Sequence, residues 1–352
     1  MVSLLAIIVA LLVYGLMGLT PMIPKRLFLP VTLFNPAAML AMVPCSIYFY
    51  GQLLQVIWVF AMVQVIFGLG MLYCVQGGFK FRWPLVVGSQ LEARGFRWRN
   101  LIVFLLANVF GLLPAIMIYL AVCASAAVGH FSEGFLALRP EGLMSQGRKY
   151  VRHDGKTIQL VPMSHIGDPD FYRKLSGSFP SNSIILMEGV TDHRHLLTNK
   201  VSYQRMAASL GVAEQAEEFE PIQGEMVRAD VDLEQFSKNT IDFLNLVMLV
   251  HAKGLTAENI LNLTQHPPPP GFETQLFDDL LHKRNRHLLK EINTRLAQSE
   301  MLIVPWGAAH MPEIAQEIQK AGFRLDSTQE YMVIRFRSTG NKGVRTAEKK
   351  VK

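Results

Sequence analysis

Apolar residues fill the first third of the chain in long, nearly unbroken runs, and from about Arg148 they shrink to short runs separated by polar clusters. Spanning a bilayer core takes about 20 apolar residues. Four stretches approach or exceed that length: Val2–Leu19, Val31–Tyr50, Leu53–Val75 and Leu101–Val128. Residues 1–130 are therefore expected to form a membrane region of about four transmembrane helices. The first run has no basic leader and no early cleavage site, so it reads as an anchor and not a signal peptide. Pro44 and Pro114 are tolerable inside spans because neighbouring helices can satisfy the freed carbonyls. Asn35-Pro36 is a candidate break at the start of the second span.

The later pattern alternates strand and helix signals. Lys149–Arg152 and Thr157–Met163 flank a hairpin turn at His153-Asp154-Gly155-Lys156. A short helix follows over Asp168–Leu175, with Asp168 as cap and Pro169 at its first position. Further strands are predicted at Ser183–Met187, Met226–Asp230, Met301–Pro305 and Glu330–Phe336. Helices are predicted at Tyr203–Leu210, Leu233–Val250, Glu273–Gln298 and Pro312–Ala321, and the proline run His266–Gly271 reads as a rigid linker. Such alternation predicts an α/β domain over residues 148–337 with a mainly parallel or mixed sheet flanked by helices. Residues 338–352 read as a basic, disordered tail.

Charge sharpens the division. Before residue 130 the only acidic residue is Glu92, against Lys25, Arg26, Lys80, Arg82, Arg94, Arg97 and Arg99, and beyond it acids and bases balance. The net charge of +6 thus belongs to the membrane third. A nucleic-acid partner would want that surplus on a soluble face, so none is expected. The basic residues cluster after the first span and between the third and fourth, which places both loops in the cytoplasm and the α/β domain outside it. The expectation is an integral protein of a plasma or inner membrane, with the lipid bilayer as partner. No charge lies within a span, which argues for an anchor and against an ion pathway. Cys45, Cys74 and Cys123 all lie in apolar stretches, leaving no cysteine-based zinc site or disulfide framework in the later half.

Two segments of that half read alike. Leu160–Gly167 and Leu302–His310 are each a strand-like run that stops at small residues and presents one histidine, His165 or His310. Ligands of open α/β sheets bind at strand carboxyl ends, so the two imidazoles could share a crevice. Glu188 would stand at the end of Ser183–Met187, with Gly189 permitting close backbone approach; Asp230 would face the same crevice, while Asp232 reads as a helix N-cap. By pattern alone Arg284, among Asp279, Lys283, Arg286 and Lys290, is a solvated arginine. His153, His193, His195, His251, His266, His282 and His287 have weaker contexts. The chain lacks a His-Glu-x-x-His zinc helix, a Gly-x-Ser-x-Gly elbow, a P-loop and a dinucleotide glycine fingerprint.

At these residues the chain resembles the TraB/TIKI family, within the wider EreA/ChaN-like group. The turn Gly307-Ala308-Ala309-His310, continued by Met311-Pro312-Glu313-Ile314, matches the family's second Gly-x-x-His turn. Ser164-His165-Ile166-Gly167 keeps the local pattern of the first, with Pro162 where a glycine is expected. Glu188 fits the strand-end acid and Arg284-Asn285 the late-helix arginine. Tyr203–Val212 with Gln215 resembles the segment after the acid. Ala229-Asp230-Val231-Asp232-Leu233 resembles an Asp-Arg-Asp stretch, with Val231 replacing the arginine. The likeness covers about residues 150–337. It implies an EreA/ChaN-like α/β fold and, in the TIKI branch, metal-dependent peptide hydrolysis by a membrane-tethered, outward-facing domain.

The expected function is therefore a membrane-anchored, metal-dependent hydrolase acting on a peptide or protein. His165, His310, Glu188 and Asp230 would hold manganese, cobalt or zinc, which would lower the pKa of a bound water from about 15.7 toward about 7. An acidic residue not bound to the metal would shuttle the proton, and Arg284, if it points inward, would stabilise the oxyanion; Glu188 and Arg284 are the expected catalytic residues. The competing reading is a non-catalytic protein of the same fold that binds a peptide or haem or sequesters a signal. A third treats both histidines as structural.

Overall fold

The computed structural model describes all residues except 1, 20–24, 79, 85–97, 199–202, 254–268 and 337–352. Contacts divide the chain into two compact units, Met1–His130 and Phe131–Lys352. The expected linker from His266 and the basic tail fall largely or wholly outside the described residues, as do Glu92, Arg94 and Arg97.

The first unit is helical: α1 Val2–Leu19, α2 Lys25–Tyr48, α3 Leu53–Gln76, α4 Trp98–Leu106 and α5 Leu113–Phe131, the last two joined by a π-helical segment at Ala107–Leu112. Among the described residues, two stretches are long and apolar enough to cross a membrane: Tyr50–Gln76, of 27 residues, and Trp98–Phe131, of 34. At 1.5 Å per residue each exceeds the bilayer core of about 30 Å. The expected break at Asn35-Pro36 is absent, since α2 continues through Pro30, Pro36 and Pro44. Gly18 lets α1 and α4 close up: a Cβ there would run into the Phe104 ring. Asn100 Nδ2 donates to Gly18 O at 2.6 Å across the same contact.

The second unit is an α/β domain built on a mixed sheet. Its strands are β1 Leu136–Arg139, β2 Gly142–Val151, β3 Thr157–Met163, β5 Ile184–Met187, β7 Glu225–Arg228, β8 Met301–Gly307 and β9 Arg324–Arg335. The spatial order is β1-β2-β3-β8-β5-β7, with β9 also on β2. β3, β8, β5 and β7 run parallel, whereas β1, β2 and β9 are antiparallel additions. A separate two-stranded sheet pairs β4 Ile166–Gly167 with β6 Ala213–Glu214. The sheet begins before Arg148, and β9 starts at Arg324, earlier than the predicted Glu330. The two longest helical stretches are α9 Lys238–Lys253 and a helix made of α10 Phe272–Phe277, a π segment Asp278–His282 and α11 Lys283–Arg295. The shorter helices are α6 Pro169–Ser176, α7 Gln204–Leu210, α8 Gln215–Glu218 and α12 Met311–Lys320.

Parallel strands covered on both faces need apolar residues at every position, which is why they read as continuous runs. Leu160, Leu186, Leu302, Val304 and Trp306 face one layer with Leu288 and Ile292 of α11 and Met311 and Ile314 of α12. Val161, Met163, Ile185 and Ile303 face the other with Phe171, Tyr172 and Leu175 of α6. The carboxyl ends of β5, β7 and β8 gather at one edge. There β5 and β8 part, their register ending at Ile185 and Ile303. Trp306 bridges the opening: its indole N–H donates to Leu186 O at 2.8 Å.

Candidate functional site

A charged cluster fills that opening. Glu188 follows β5 directly, Asp230 lies two residues beyond β7, His310 closes the turn after β8, and Arg284 enters from the first turn of α11. The Asp230 side chain is fully buried, and those of His310, Arg284 and Glu188 are 6%, 13% and 14% exposed. Charges this buried persist only when paired and hydrogen-bonded.

Arg284 is the hub. Its Nε donates to Asp230 Oδ1 at 3.0 Å, and Nη2 donates to Asp230 Oδ2 at 2.6 Å and to Glu188 Oε1 at 2.7 Å. Nη1 donates to His310 Nε2 at 3.2 Å and to Leu280 O at 3.4 Å. The guanidinium also lies 5.3 Å from the Trp306 ring centroid. Burial works against its charge, but the bonds with Asp230 and Glu188 win, raising its pKa further above the ordinary value.

The carboxylates are also held by backbone. Asp230 Oδ2 accepts from Gly189 N at 3.0 Å and Oδ1 from Val231 N at 2.8 Å, while Glu188 Oε2 accepts from Gly307 N at 2.5 Å. Gly189 is needed for its backbone, at φ +151, and not for close approach, since a Cβ there would meet nothing within 4 Å. Val231, which departs from the resemblance, is buried with Leu233 and Phe236.

A second chain of bonds fixes His310. Asn285 Nδ2 donates to Glu313 Oε2 at 2.6 Å, so its Oδ1 faces His310 Nδ1 at 2.6 Å. Nδ1 therefore carries the proton, and Nε2 presents its lone pair to Arg284. Burial first, and then the neighbouring Arg284 charge, pull the imidazole down to a pKa of about 4, which keeps it neutral at pH 7. His282 Nδ1 meets the other side of this chain at Glu313 Oε2, 2.9 Å away.

Four of the five expected site residues thus come together, and His165 does not join their hydrogen bonds or ion pairs. After Met163 the chain leaves the main sheet to form β4 against β6, and it carries His165 with it. The His165 ring is exposed and stacks on Tyr203, with centroids 5.0 Å apart and planes 6° apart. His193 is 76% exposed beside Asp232, which caps a short turn and accepts from Glu234 N at 2.9 Å. Arg284, solvated by pattern, is the most enclosed arginine of the ion pairs described.

The expected metal set does not fit this arrangement. Among the described residues no three His, Cys, Asp or Glu groups are placed to hold an ion. Asp230 accepts two bonds at each oxygen, which uses its lone-pair directions. The guanidinium stands where an ion would have to reach these donors. All five of its N–H groups are also directed at cluster atoms or Leu280 O, so the expected oxyanion role for Arg284 has no donor left.

A cleft of about 610 Å³ adjoins the cluster, lined by Met187–His193 and by Met226, Val227 and Arg228. Of the four cluster residues, Glu188 alone lines it. Arg228, exposed on the same wall, escaped the sequence reading because nothing distinguishes it from other strand-end arginines. Asn285 and Glu313, which fix His310, stand beside Arg284 and close to His310 in the matching motifs, and that adjacency is the signal by which sequence could find them. In comparisons with known proteins, no family model, no curated protein and no solved structure matches the chain.

Proposed function

We propose that the chain is a membrane-anchored hydrolase of TraB/TIKI type, with an EreA/ChaN-like catalytic domain cleaving peptide bonds outside the cytoplasm. The multi-span anchor rests on the four apolar runs, and its sidedness on the basic loops at Lys25-Arg26 and around Lys80–Arg99. The observation that carries the catalytic part is the position of Glu188, joined to a buried charge cluster yet open to a cleft at the strand ends.

Glu188 is the general base. Each of its oxygens accepts one bond from the protein, to Arg284 or to Gly307 N, leaving a lone pair on each for water. It takes a proton as the water attacks the substrate carbonyl, then returns it to the leaving amine as the C–N bond breaks. Arg228 lines the same cleft and supplies positive charge for the developing oxyanion. Arg284, Asp230 and His310 are positioning residues that hold the Glu188 carboxylate in one place.

The test is turnover of a fluorogenic peptide library by the detergent-solubilised full chain. Glu188→Gln should lose about 10²–10⁴-fold of the rate, the usual range for a general base. Equal rates for both proteins would refute the assignment. The saturation of Arg284 and His310 favours a second reading, a closed centre that binds peptide without cleaving it. Peptide binding with no turnover, unchanged in Glu188→Gln, would select that one.

A further inference from the structure

The apolar stretch Tyr50–Gln76 ends in a fixed stop. Gly77 takes the left-handed conformation there, at φ +67, and its N–H donates to Tyr73 O. The chain then turns back on the helix. Gln76 Nε2 donates to Arg82 O at 2.9 Å, and Arg82 N donates to Gln76 Oε1 at 2.5 Å. One side-chain amide thus holds both backbone groups of a single residue. The clamp presents Lys80-Phe81-Arg82-Trp83 at the helix end with all four side chains exposed. Phe81 is 68% and Trp83 80% exposed, whereas tryptophan in a water-soluble fold is highly buried on average.

Cations alternate with aromatic rings along this segment, and no described residue of its unit can neutralise them. Glu92 is the only acid before residue 130, and it lies outside the described residues. Among the described residues neither Lys80 nor Arg82 takes part in an ion pair. We propose that Lys80-Phe81-Arg82-Trp83 is a docking site for anionic phospholipid headgroups, with the rings seated in the bilayer interface and the two cations on lipid phosphates. Amphipathic aromatic rings gather where the apolar core meets the headgroups. Each cation held at a negatively charged membrane surface strengthens binding by about fivefold. A zwitterionic headgroup carries its own ammonium beside the phosphate and attracts Lys80 and Arg82 less. The next span opens with the same chemistry, since Trp98 and Arg99 are both exposed at its start. The inference rests on the membrane-anchor reading and is independent of the hydrolase chemistry.

The experiment reconstitutes the full chain in mixed bilayers of phosphatidylcholine and phosphatidylglycerol, one or the other brominated in its acyl chains. Bromine quenches tryptophan fluorescence at close range. The emission lost in Trp83→Phe reports Trp83, and the emission lost in Trp58→Phe reports the inside of the span. Trp83 should be quenched far more by brominated phosphatidylglycerol, at a preference of about 25-fold for two cations. Lys80→Gln combined with Arg82→Gln should bring that preference close to one. Lys80→Arg combined with Arg82→Lys, which keeps both charges, should preserve it. Equal quenching of wild-type Trp83 by the two lipids would overturn the proposal. So would a preference that survives removal of both cations. Trp58 should be quenched alike by either lipid. Trp58 untouched by both would instead refute the span on which the site depends, so the two failures are distinguishable.

Discussion

Asp230 shows how much one buried carboxylate can organise. It is fully buried and accepts four hydrogen bonds, two from Arg284 and two from the backbone. Breaking a buried pair by removing one partner costs about 3–5 kcal/mol. Asp230→Ala should therefore lower stability by an amount in that range, read by thermal or denaturant unfolding, whereas removing an exposed, solvent-screened pair such as Arg173–Asp170 should leave the transition nearly unmoved. His310 gives a pH signature. Its folded pKa of about 4 lies below the unfolded value of about 6.5, so below pH 6.5 the unfolded state binds the extra proton. Stability from this group is complete above about pH 6.5 and is lost as pH falls toward about 4. In His310→Gln that slope should disappear from the pH dependence of unfolding; an unchanged slope would assign it to other groups. At this scale the sequence was informative where a residue ends an apolar strand, as Glu188, Asp230 and His310 do. Pattern alone put Arg284 in solvent, because a helix face rich in charge gives no sign that one cation turns inward. His165 failed for the opposite reason: its strand-end context was right, but pairing of β4 with β6 pulled it aside.

Arg284 turns inward because of its helix. The π segment Asp278–His282 takes in one residue more than an α turn, which rotates everything after it by roughly 100° relative to what precedes it. Before the insertion's end, Asp279 accepts from Ser237 and Thr240; after it, Asn285 and Leu288 meet α12 and the sheet. Deleting Leu281 should restore regular α geometry and make the two sets incompatible. The deletion variant should melt well below wild type and lose the Arg284 ion pairs; an undiminished melting temperature would show that the π turn is incidental. No periodicity count over Glu273–Gln298 reveals such an insertion, since a run of charged residues masks the change of phase. Strands were legible where burial on both faces demanded continuous apolar residues, as in Thr157–Met163 and Met301–Pro305. β1 and the first half of β2 were not, because Arg139, Gly142, Gln146 and Gly147 break the apolar pattern there.

For the molecule as a whole, contacts divide the chain after His130, close to the point where the long apolar runs of the sequence give way to mixed ones. Tyr50–Gln76 and Trp98–Phe131 are long enough to cross a bilayer, so the full chain should stay with membranes through an alkaline carbonate wash. Release into the supernatant would contradict a spanning anchor. What composition could not reveal is the neutralisation at the strand ends, where two negative groups and a neutral imidazole gather around a cation from the chain itself. The most direct test of that centre is an experimental density map of the intact protein in detergent, with anomalous data collected at transition-metal edges. The account predicts the Arg284 guanidinium within hydrogen-bonding reach of both Glu188 and Asp230, and no anomalous peak between them. An arginine turned away to solvent, with a metal ion bound by Glu188, Asp230 and His310 in its place, would contradict it.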